Sequence, residues 1–406
     1  MNFQGLTGIL VLLGVAYLLS NNRKEIKIQT VLWGLGLQFS LALMILKIPF
    51  VKSQFSILDR IFRKVISFSE TGSNFLFESF IPDVGYHVAM MNFAFRALPV
   101  IIFFSSLIAM SYHFGIVQTI IKFISKIMRS TMRTSGPETL SISANIFVGQ
   151  TEAPIIVRPF IKDMSNSELM AIMTGGFATT AGSVLALYVL WLEKIPGIAG
   201  HMLAASIMSA PAALAIAKII YPETEKSRPK KIIEIYNRRE TQNAMDALGK
   251  GATDGLKLAA NVAAMLIAFV SIISMINYFL DFIFSVSLQQ AMGVIFQPLS
   301  WTMGIPWDEA KIIGSLMGEK IVLTELVAYS NLSDLVNNNL ISNRSAVIAS
   351  YALCGFANFG SIGIQLGGIG GMAPNRRKDL SKIAMKAMIG GAIASWLTAT
   401  VAGLLI

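Results

Sequence analysis

The stretch GFATTAGSV at residues 176–184 recurs, with one gap, as GFANFGSI at residues 355–362. Both copies are rich in glycine and alanine, which let helix backbones approach closely. Each copy also carries a polar side chain, Thr179 in the first and Asn358 in the second, that can satisfy backbone groups released by local unwinding. The pair therefore predicts two interrupted helices, one in each half of the chain.

A broken segment with a glutamate precedes each copy of the repeat. Glu152 lies 24 residues before the first copy, and Glu325 lies 30 residues before the second. The segment 136–162 holds prolines and several polar residues, so it is too broken for a helix that faces lipid. The segment 307–330 has the same character. We predict that both are re-entrant hairpins and that the two halves form an inverted repeat, as in secondary transporters.

The two glutamates indicate the candidate binding site. A carboxylate inside a membrane costs roughly 2.5–3.5 kcal/mol on insertion scales, so it needs a partner or a polar cavity. One interpretation is a structural ion pair, of Glu152 with Arg158 or of Glu325 with Lys320. The other is a solute site, in which carboxylates accept hydrogen bonds from a neutral, hydroxyl-rich molecule. An anionic solute would be repelled.

Composition favours a membrane protein. Of the 406 residues, 54% are hydrophobic and only 14% are charged, against about 25% charged in soluble domains, and the mean hydropathy is +0.63. Many apolar runs have the length of about 20 residues that crosses a bilayer. The net charge of +10 comes from short basic clusters between these runs, a pattern typical of cytoplasmic loops and not of nucleic-acid binding.

Apolar runs and basic loops together predict the topology. Two amphipathic stretches, 51–93 and the region of Lys122 to Arg133, are expected at the membrane interface. Tyr188 and Trp191 suit an outer interfacial belt. The basic loops place both termini outside the inner (plasma) membrane. The eight predicted transmembrane helices span about 4–20, 31–50, 94–112, 167–191, 198–220, 256–280, 345–366 and 382–405. The fold class is thus an all-α polytopic membrane protein.

Other classes of protein fit the sequence less well. The histidines His87, His113 and His201 are far apart and form no metal-binding spacing, so an enzyme is not expected. Residues 368–373 fit the dinucleotide pattern G-x-G-x-x-A, but they follow a membrane span where that motif needs a preceding strand. A channel can also use broken helices, and a flux assay with and without an ion gradient would separate it from a transporter.

Several motifs resemble those of the concentrative nucleoside transporters. They are NIFVGQTEAP at 145–154, VRPF at 157–160, ELVAY at 325–329, the stretch 354–361 and GGIG at 367–370. The resemblance covers nearly the whole chain and keeps the order and spacing of the motifs. It implies a homotrimer in membrane lipid, in which a scaffold holds a mobile transport domain that works by an elevator mechanism.

On this resemblance the chain divides into four parts. Residues 1–135 are scaffold and interfacial helices, and 136–220 are the first half of the transport domain. Residues 221–306 comprise a cytoplasmic linker, a long scaffold span and an interfacial segment, and 307–406 are the second half of the transport domain. The predicted linker contains the basic residues Lys226, Arg228, Lys230, Lys231, Arg238 and Arg239.

The resemblance also implies roles for individual residues. Gln150, Thr151 and Glu152 would face a nucleobase, with Val184, Leu258 and Phe356 lining that end, and Glu325, Asn358 and Ser361 would hold the ribose hydroxyls. A sodium ion would bind Asn145, the Val148 carbonyl, Thr179 and the Thr180 carbonyl. All four are neutral oxygen donors, which suit a hard cation.

The expected activity is sodium-driven import of nucleosides of the uridine, cytidine or adenosine class, without an organic cofactor. Proton-coupled relatives tend to carry Gly-Gln-Ser-Glu-Asn where this chain has Gly-Gln-Thr-Glu-Ala at 149–153, which favours sodium. The pair Thr179-Thr180, where sodium-coupled bacterial members can show Ser-Ile, keeps the hydroxyl but can alter ion affinity. A proton-coupled nucleoside symporter and a transporter of another polar solute are the alternatives.

Overall fold

The computed structural model describes residues 3–77, 93–96, 98–225 and 241–406. These residues form α-helices joined by turns and short 3-10 segments, with no strand among them, as the all-α prediction requires. The helices are α1 (Phe3–Leu18), α2 (Ile28–Lys47), α3 (Pro49–Phe77), α4 (Phe93–Arg96), α5 (Leu98–His113), α6 (Ile116–Met132), α7 (Gly136–Ala144), α8 (Arg158–Ile161), α9 (Asn166–Ala178), α10 (Gly182–Trp191), α11 (Ile198–Ile220), α12 (Ala244–Phe284), α13 (Leu288–Thr302), α14 (Trp307–Val322), α15 (Glu325–Asn337), α16 (Asn343–Leu353), α17 (Phe359–Met372) and α18 (Arg377–Leu405).

Five stretches of helix in the described ranges are long and apolar enough to cross a membrane: Ile28–Lys47, Asn166–Trp191, Ile198–Ile220, Ala244–Phe284 and Pro374–Leu405. The pair α5 and α6 passes the same test together but is bent by 74°. α1 is apolar but shorter, and the predicted span 345–366 is interrupted between α16 and α17. The number of eight transmembrane helices therefore stays a prediction.

The helices α11 and α18 lie at the centre of the core. Nearly every side chain of α11 is buried, as is most of α18 from Ala387 onwards. Both are rich in alanine and contain serine, and α18 also contains threonine. These small side chains allow close helix packing. Ser209 and Thr398 share a hydrogen bond of 3.0 Å between the two helices, and Gln38 of α2 donates to Thr398 at 2.8 Å. Small residues and a few interhelical hydrogen bonds thus hold these helices together.

The helix α12 is much longer than the predicted span 256–280. It begins where Asn243 accepts a hydrogen bond from the Asp246 amide at 2.9 Å, and its 41 residues extend about 60 Å at 1.5 Å per residue. A stripe of small residues on α12, including Gly251 and Gly255, packs on α5. A Cβ added at Gly251 would lie 2.6 Å from the Ser106 α-carbon, and one added at Gly255 would lie 2.7 Å from the Ile102 α-carbon. Most of its remaining surface is exposed and apolar.

The predicted interfacial helix corresponds in part to α3. Most of its side chains are exposed, but Asp59 is buried and accepts hydrogen bonds from the Ala199 amide and from Arg63, both at 2.9 Å. A carboxylate is favourable at the N-terminal end of α11 because of the helix dipole, so this contact ties α3 to the core. Residues 78–92 of the predicted amphipathic stretch and the basic residues of the predicted linker lie outside the described residues.

Candidate functional site

The two copies of the repeat meet at the interruptions of their helices. α9 ends at Ala178 and α10 begins at Gly182, while α16 ends at Leu353 and α17 begins at Phe359. Gly355 has φ +99°, and a Cβ there would lie 2.6 Å from the Phe177 carbonyl oxygen. Its amide donates to the Thr180 hydroxyl at 2.9 Å. Only glycine allows this backbone conformation and this close approach.

Gly355→Ala is expected to destabilise the protein. A side chain at positive φ costs about 1–2 kcal/mol, and overlap with the backbone of α9 adds to that cost. We expect a clearly lower melting temperature in thermal unfolding of the purified protein. Gly363→Ala is the matched control, since nothing lies within 4 Å of a Cβ there and alanine is favoured inside a helix. Equal melting temperatures for the two variants would contradict this packing.

The second broken segment places Glu325 against the interruption between α16 and α17. Thr324 caps α15, and Glu325 begins that helix with only 3% of its surface exposed. One carboxylate oxygen accepts from the Tyr188 hydroxyl at 3.1 Å, and the other accepts from the Asn358 amide nitrogen at 2.9 Å. Asn358 in turn caps α17 by accepting from the Ser361 amide at 2.8 Å. The carboxylate is thus held at the start of α17.

The first broken segment reaches the same helix. α7 begins where the Glu138 carboxylate accepts from the Ser135 amide at 2.7 Å. It ends before Asn145, after which the chain turns without regular α-helix to Glu152. Gln150 donates to the Ser361 hydroxyl at 3.2 Å. A continuous set of hydrogen bonds therefore joins Glu325 to Gln150 through Asn358 and Ser361.

Two residues that the sequence analysis did not assign to the site support it. Gln365 is fully buried and donates to the side chain of Gln150 at 3.0 Å and to the Met173 carbonyl at 3.2 Å. The signal for Gln365 in the sequence is that it is a single amide side chain within the apolar run of α17. Tyr188, expected in an interfacial belt, is fully buried instead, and its ring stacks on Tyr329 at 4.0 Å between centroids. The expected interfacial position of Tyr188 was wrong. Its hydroxyl binds Glu325, a partner too distant in sequence to be recognised from the local pattern.

All nine predicted substrate residues line one cavity of about 1870 Å³. This volume exceeds the roughly 300–1,000 Å³ of an ordinary ligand pocket, so it has room for a solute and water. The residues are Gln150, Thr151, Glu152, Val184, Leu258, Glu325, Phe356, Asn358 and Ser361. Leu258 comes from α12, which forms one wall.

The two glutamates differ in exposure within this cavity. Glu325 is buried, whereas Glu152 is exposed, and a Cβ at Gly149 would clash with the Glu152 carboxylate, which lies over that glycine. Neither structural ion pair considered for them, with Arg158 or with Lys320, is formed within 4.0 Å in the described part of the chain. Both carboxylates thus line the cavity without either of these cations as a partner.

The predicted sodium ligands Asn145 and Thr179 lie together beside the cavity. The Asn145 amide nitrogen donates to the Gly175 carbonyl and to the Thr179 hydroxyl, both at 2.8 Å, and that hydroxyl donates to the Asn145 carbonyl at 2.9 Å. The side-chain oxygen of Asn145 is buried and has no hydrogen-bond partner among the described residues. A buried oxygen without a donor is suited to a cation. Val148 lines the cavity. The hydroxyl of Thr180, whose carbonyl is the predicted ligand, accepts from the Gly355 amide.

Three family models match the chain in sequence order. They are described as Na⁺ dependent nucleoside transporter N-terminus over residues 7–80, nucleoside recognition over 94–195, and Na⁺ dependent nucleoside transporter C-terminus over 201–403. An uncharacterised transporter of Haemophilus influenzae is 40% identical, with 99% of this chain and 97% of the relative covered. Sodium/nucleoside cotransporter 1 of Mus musculus is 39% identical over 98% of this chain, which spans 63% of the mouse protein.

The fold matches solved structures of a similar protein in more than one state. CNTnw in an inward-facing substrate-bound state superposes with a TM-score of 0.92 at 39% sequence identity, covering 99% of this chain and 97% of CNTnw. A variant of CNTnw in an outward-facing state superposes with a TM-score of 0.91 and the same coverage.

Proposed function

The chain belongs to the family of sodium-dependent nucleoside transporters, whose members are membrane transporters and not enzymes, and we propose that it imports nucleosides into the cytoplasm by sodium symport. The observation that carries the proposal is the hydrogen-bonded set from Glu325 through Asn358 and Ser361 to Gln150. This set joins both broken segments and faces the shared cavity. A solute bound there touches both halves at once.

The chemistry of this cavity suits a neutral solute with hydroxyl groups at one end and a planar ring at the other. Glu325, Asn358 and Ser361 are proposed to bind the ribose hydroxyls, because a carboxylate and an amide oxygen accept from them. Gln150, Thr151 and Glu152 are proposed to face the nucleobase. Phe356, Val184 and Leu258 supply apolar surface beside it.

Sodium is proposed to bind at Asn145 and Thr179, with the carbonyls of Val148 and Thr180. Asn145 directly precedes the turn that presents Gln150, so an ion at Asn145 orders the turn before the solute arrives. One ion that moves down 100 mV supplies about 2.3 kcal/mol, and a tenfold gradient adds about 1.4 kcal/mol. Together they support accumulation of roughly 500-fold.

The transport cycle is proposed to be an elevator movement. Residues 136–220 and 307–406 would carry solute and ion across the membrane as one body, against a scaffold formed by 1–135 and 221–306. The inward- and outward-facing structures of CNTnw are consistent with alternating access. The exposed apolar surface of α12 supports contact with lipid or with other subunits of a proposed homotrimer in the inner membrane. Both termini are proposed to lie outside.

Uptake into proteoliposomes tests this function. We expect radiolabelled uridine, cytidine or adenosine to accumulate with an inward sodium gradient and not when choline replaces sodium. Empty liposomes and an imposed pH gradient without sodium are the controls. Uptake driven by the pH gradient alone would establish the proton-coupled alternative, and failure of all three nucleosides to enter would favour another polar solute.

A further inference from the structure

Lys320 is a fully buried lysine whose ammonium binds neutral oxygens. It lies in the last turn of α14, and none of its surface is exposed. Its ammonium donates to the carbonyls of Ala352 at 3.0 Å and Cys354 at 2.9 Å, and to the Ser395 hydroxyl at 2.9 Å. These three bonds use all three donors of the ammonium group. In the described part of the chain, no carboxylate lies within 4.0 Å of it.

Two of the three acceptors of Lys320 are carbonyls at the end of α16, where that helix is interrupted, and the third is the Ser395 hydroxyl of α18. The carboxyl-terminal end of a helix carries partial negative charge on its free carbonyls, which favours a cation there. Neutral oxygens around a full positive charge resemble the ligands of an alkali ion more than those of an ion pair. We call the Ala352 and Cys354 carbonyls and the Ser395 hydroxyl, which together bind the Lys320 ammonium, the oxygen cage.

The first half of the chain has a corresponding arrangement around Asn145. Asn145 directly follows α7, the first arm of the first broken segment, and its amide donates to the Gly175 carbonyl near the end of α9. Lys320 ends the first arm of the second segment and donates to carbonyls at the end of α16. A neutral amide makes this contact in the first half and leaves a buried oxygen without a donor. An ammonium makes it in the second half.

We propose that the Lys320 ammonium is a tethered cation that fills the second half's counterpart of the sodium site, so that one mobile sodium ion suffices for transport. The inference rests on the proposed function for the role of the first site. In both halves, a single positive charge joins the first arm of a broken segment to the interrupted helix that follows it. In the second half that charge is covalently attached and does not exchange with solution.

Thermal unfolding of the variant Lys320→Ala tests the cage without any transport assay. The substitution removes the atoms from Cγ to Nζ, which n-propylammonium replaces. In choline chloride we expect a lower melting temperature than for the wild type. Because a ligand stabilises the state that binds it, n-propylammonium should raise the melting temperature of the variant and leave that of the wild type unchanged. The neutral probe 1-propanol should have no such effect.

Uptake by the same variant tests the link to sodium. Without propylammonium, we expect uptake by Lys320→Ala to be at least about tenfold below that of the wild type. The Hill coefficient of its sodium dependence should rise from about 1 toward 2, because a second sodium ion becomes necessary. Addition of n-propylammonium should restore uptake and the shallower dependence. Lys320→Met, which fills the space without a charge, should not be rescued.

Several results would overturn the proposal. They are an identical response of wild type and Lys320→Ala to n-propylammonium, no response of the variant, normal uptake by the variant with unchanged sodium dependence, or no folded variant even when purified with n-propylammonium. If the wild type itself transports no nucleoside, the proposed function fails, but the unfolding experiment still decides whether the cage binds a free cation.

Discussion

Glu325→Gln is expected to reduce nucleoside uptake by about 100-fold. Both carboxylate oxygens already accept hydrogen bonds, from Tyr188 and from Asn358, so an amide must turn its nitrogen toward one of these donors. A hydrogen bond to a charged group is worth about 1.5–3 kcal/mol, which corresponds to roughly 10–150-fold in affinity for each bond lost to the solute. The measurement is initial uptake of radiolabelled nucleoside in proteoliposomes at fixed sodium.

Two further variants sharpen this test. Asn358→Ala should cause a comparable loss, because it removes both a solute ligand and the donor to Glu325. Glu193→Gln changes an exposed carboxylate outside the cavity and should behave as the wild type. All three should elute in the oligomeric state of the wild type on size-exclusion chromatography. Normal uptake by both Glu325→Gln and Asn358→Ala would refute the proposed solute site.

Asn145→Ala is expected to raise the sodium concentration for half-maximal uptake by at least about tenfold. The substitution removes the buried side-chain oxygen proposed as an ion ligand, and we take its contribution as similar to a hydrogen bond to a charged group, about 1.5–3 kcal/mol. It also removes the donor to Gly175 and Thr179, so the turn before Gln150 becomes less ordered. The nucleoside affinity at saturating sodium should change less than the sodium affinity.

The measurement is the dependence of uptake on sodium concentration, with choline keeping the ionic strength constant. Asn338→Ala is the control, since Asn338 is an exposed asparagine that does not line the cavity. An unchanged sodium dependence for Asn145→Ala would place the ion elsewhere. Loss of nucleoside binding in the absence of sodium, with no change in sodium affinity, would assign Asn145 a structural role only.

The proposals for Glu325, Asn145 and Lys320 all concern the contact between a broken segment and an interrupted helix, which occurs once in each half of the chain. In each half, a broken segment meets an interrupted helix through polar side chains, and the small residues of GFATTAGSV and GFANFGSI allow the backbones to touch. In these proposals the glutamates bind the solute, Asn145 binds the sodium ion, and Lys320 supplies a positive charge of its own. If these proposals hold, the solute binds only when both halves are assembled.

Local pattern was sufficient to predict much of this molecule from sequence. Apolar runs and scarce charges predict a helical membrane protein, since the backbone must satisfy its own hydrogen bonds in lipid. Proline and polar residues in 136–162 predict a broken segment because they interrupt helices locally. The motifs around Glu152 and Glu325 are short and contiguous, so their resemblance to a family is visible without a structure.

The local sequence pattern did not predict the position of a side chain whose hydrogen-bond partner is distant in the chain. The hydroxyl of Tyr188 meets Glu325, 137 positions away, and Gln365 meets Gln150 across 215 positions. In sequence, Tyr188 is an aromatic residue near the end of an apolar run, which favours an interfacial position. The length of α12 was also underestimated, because hydropathy identifies its apolar part and not its polar first turns.

The membrane environment, the helical class and the family could be read from the amino-acid sequence, because composition, periodicity and contiguous motifs are local properties. Glu152 and Glu325 could be singled out as candidate site residues for the same reason. The folded core was needed to show that the two interruptions touch at Gly355 and that Lys320 binds neutral oxygens and not Glu325. It was also needed to show that the Asn145 side-chain oxygen is buried without a donor among the described residues. Those outcomes depend on which groups compete for each hydrogen bond in the folded core, and the competitors come from segments far apart in the chain.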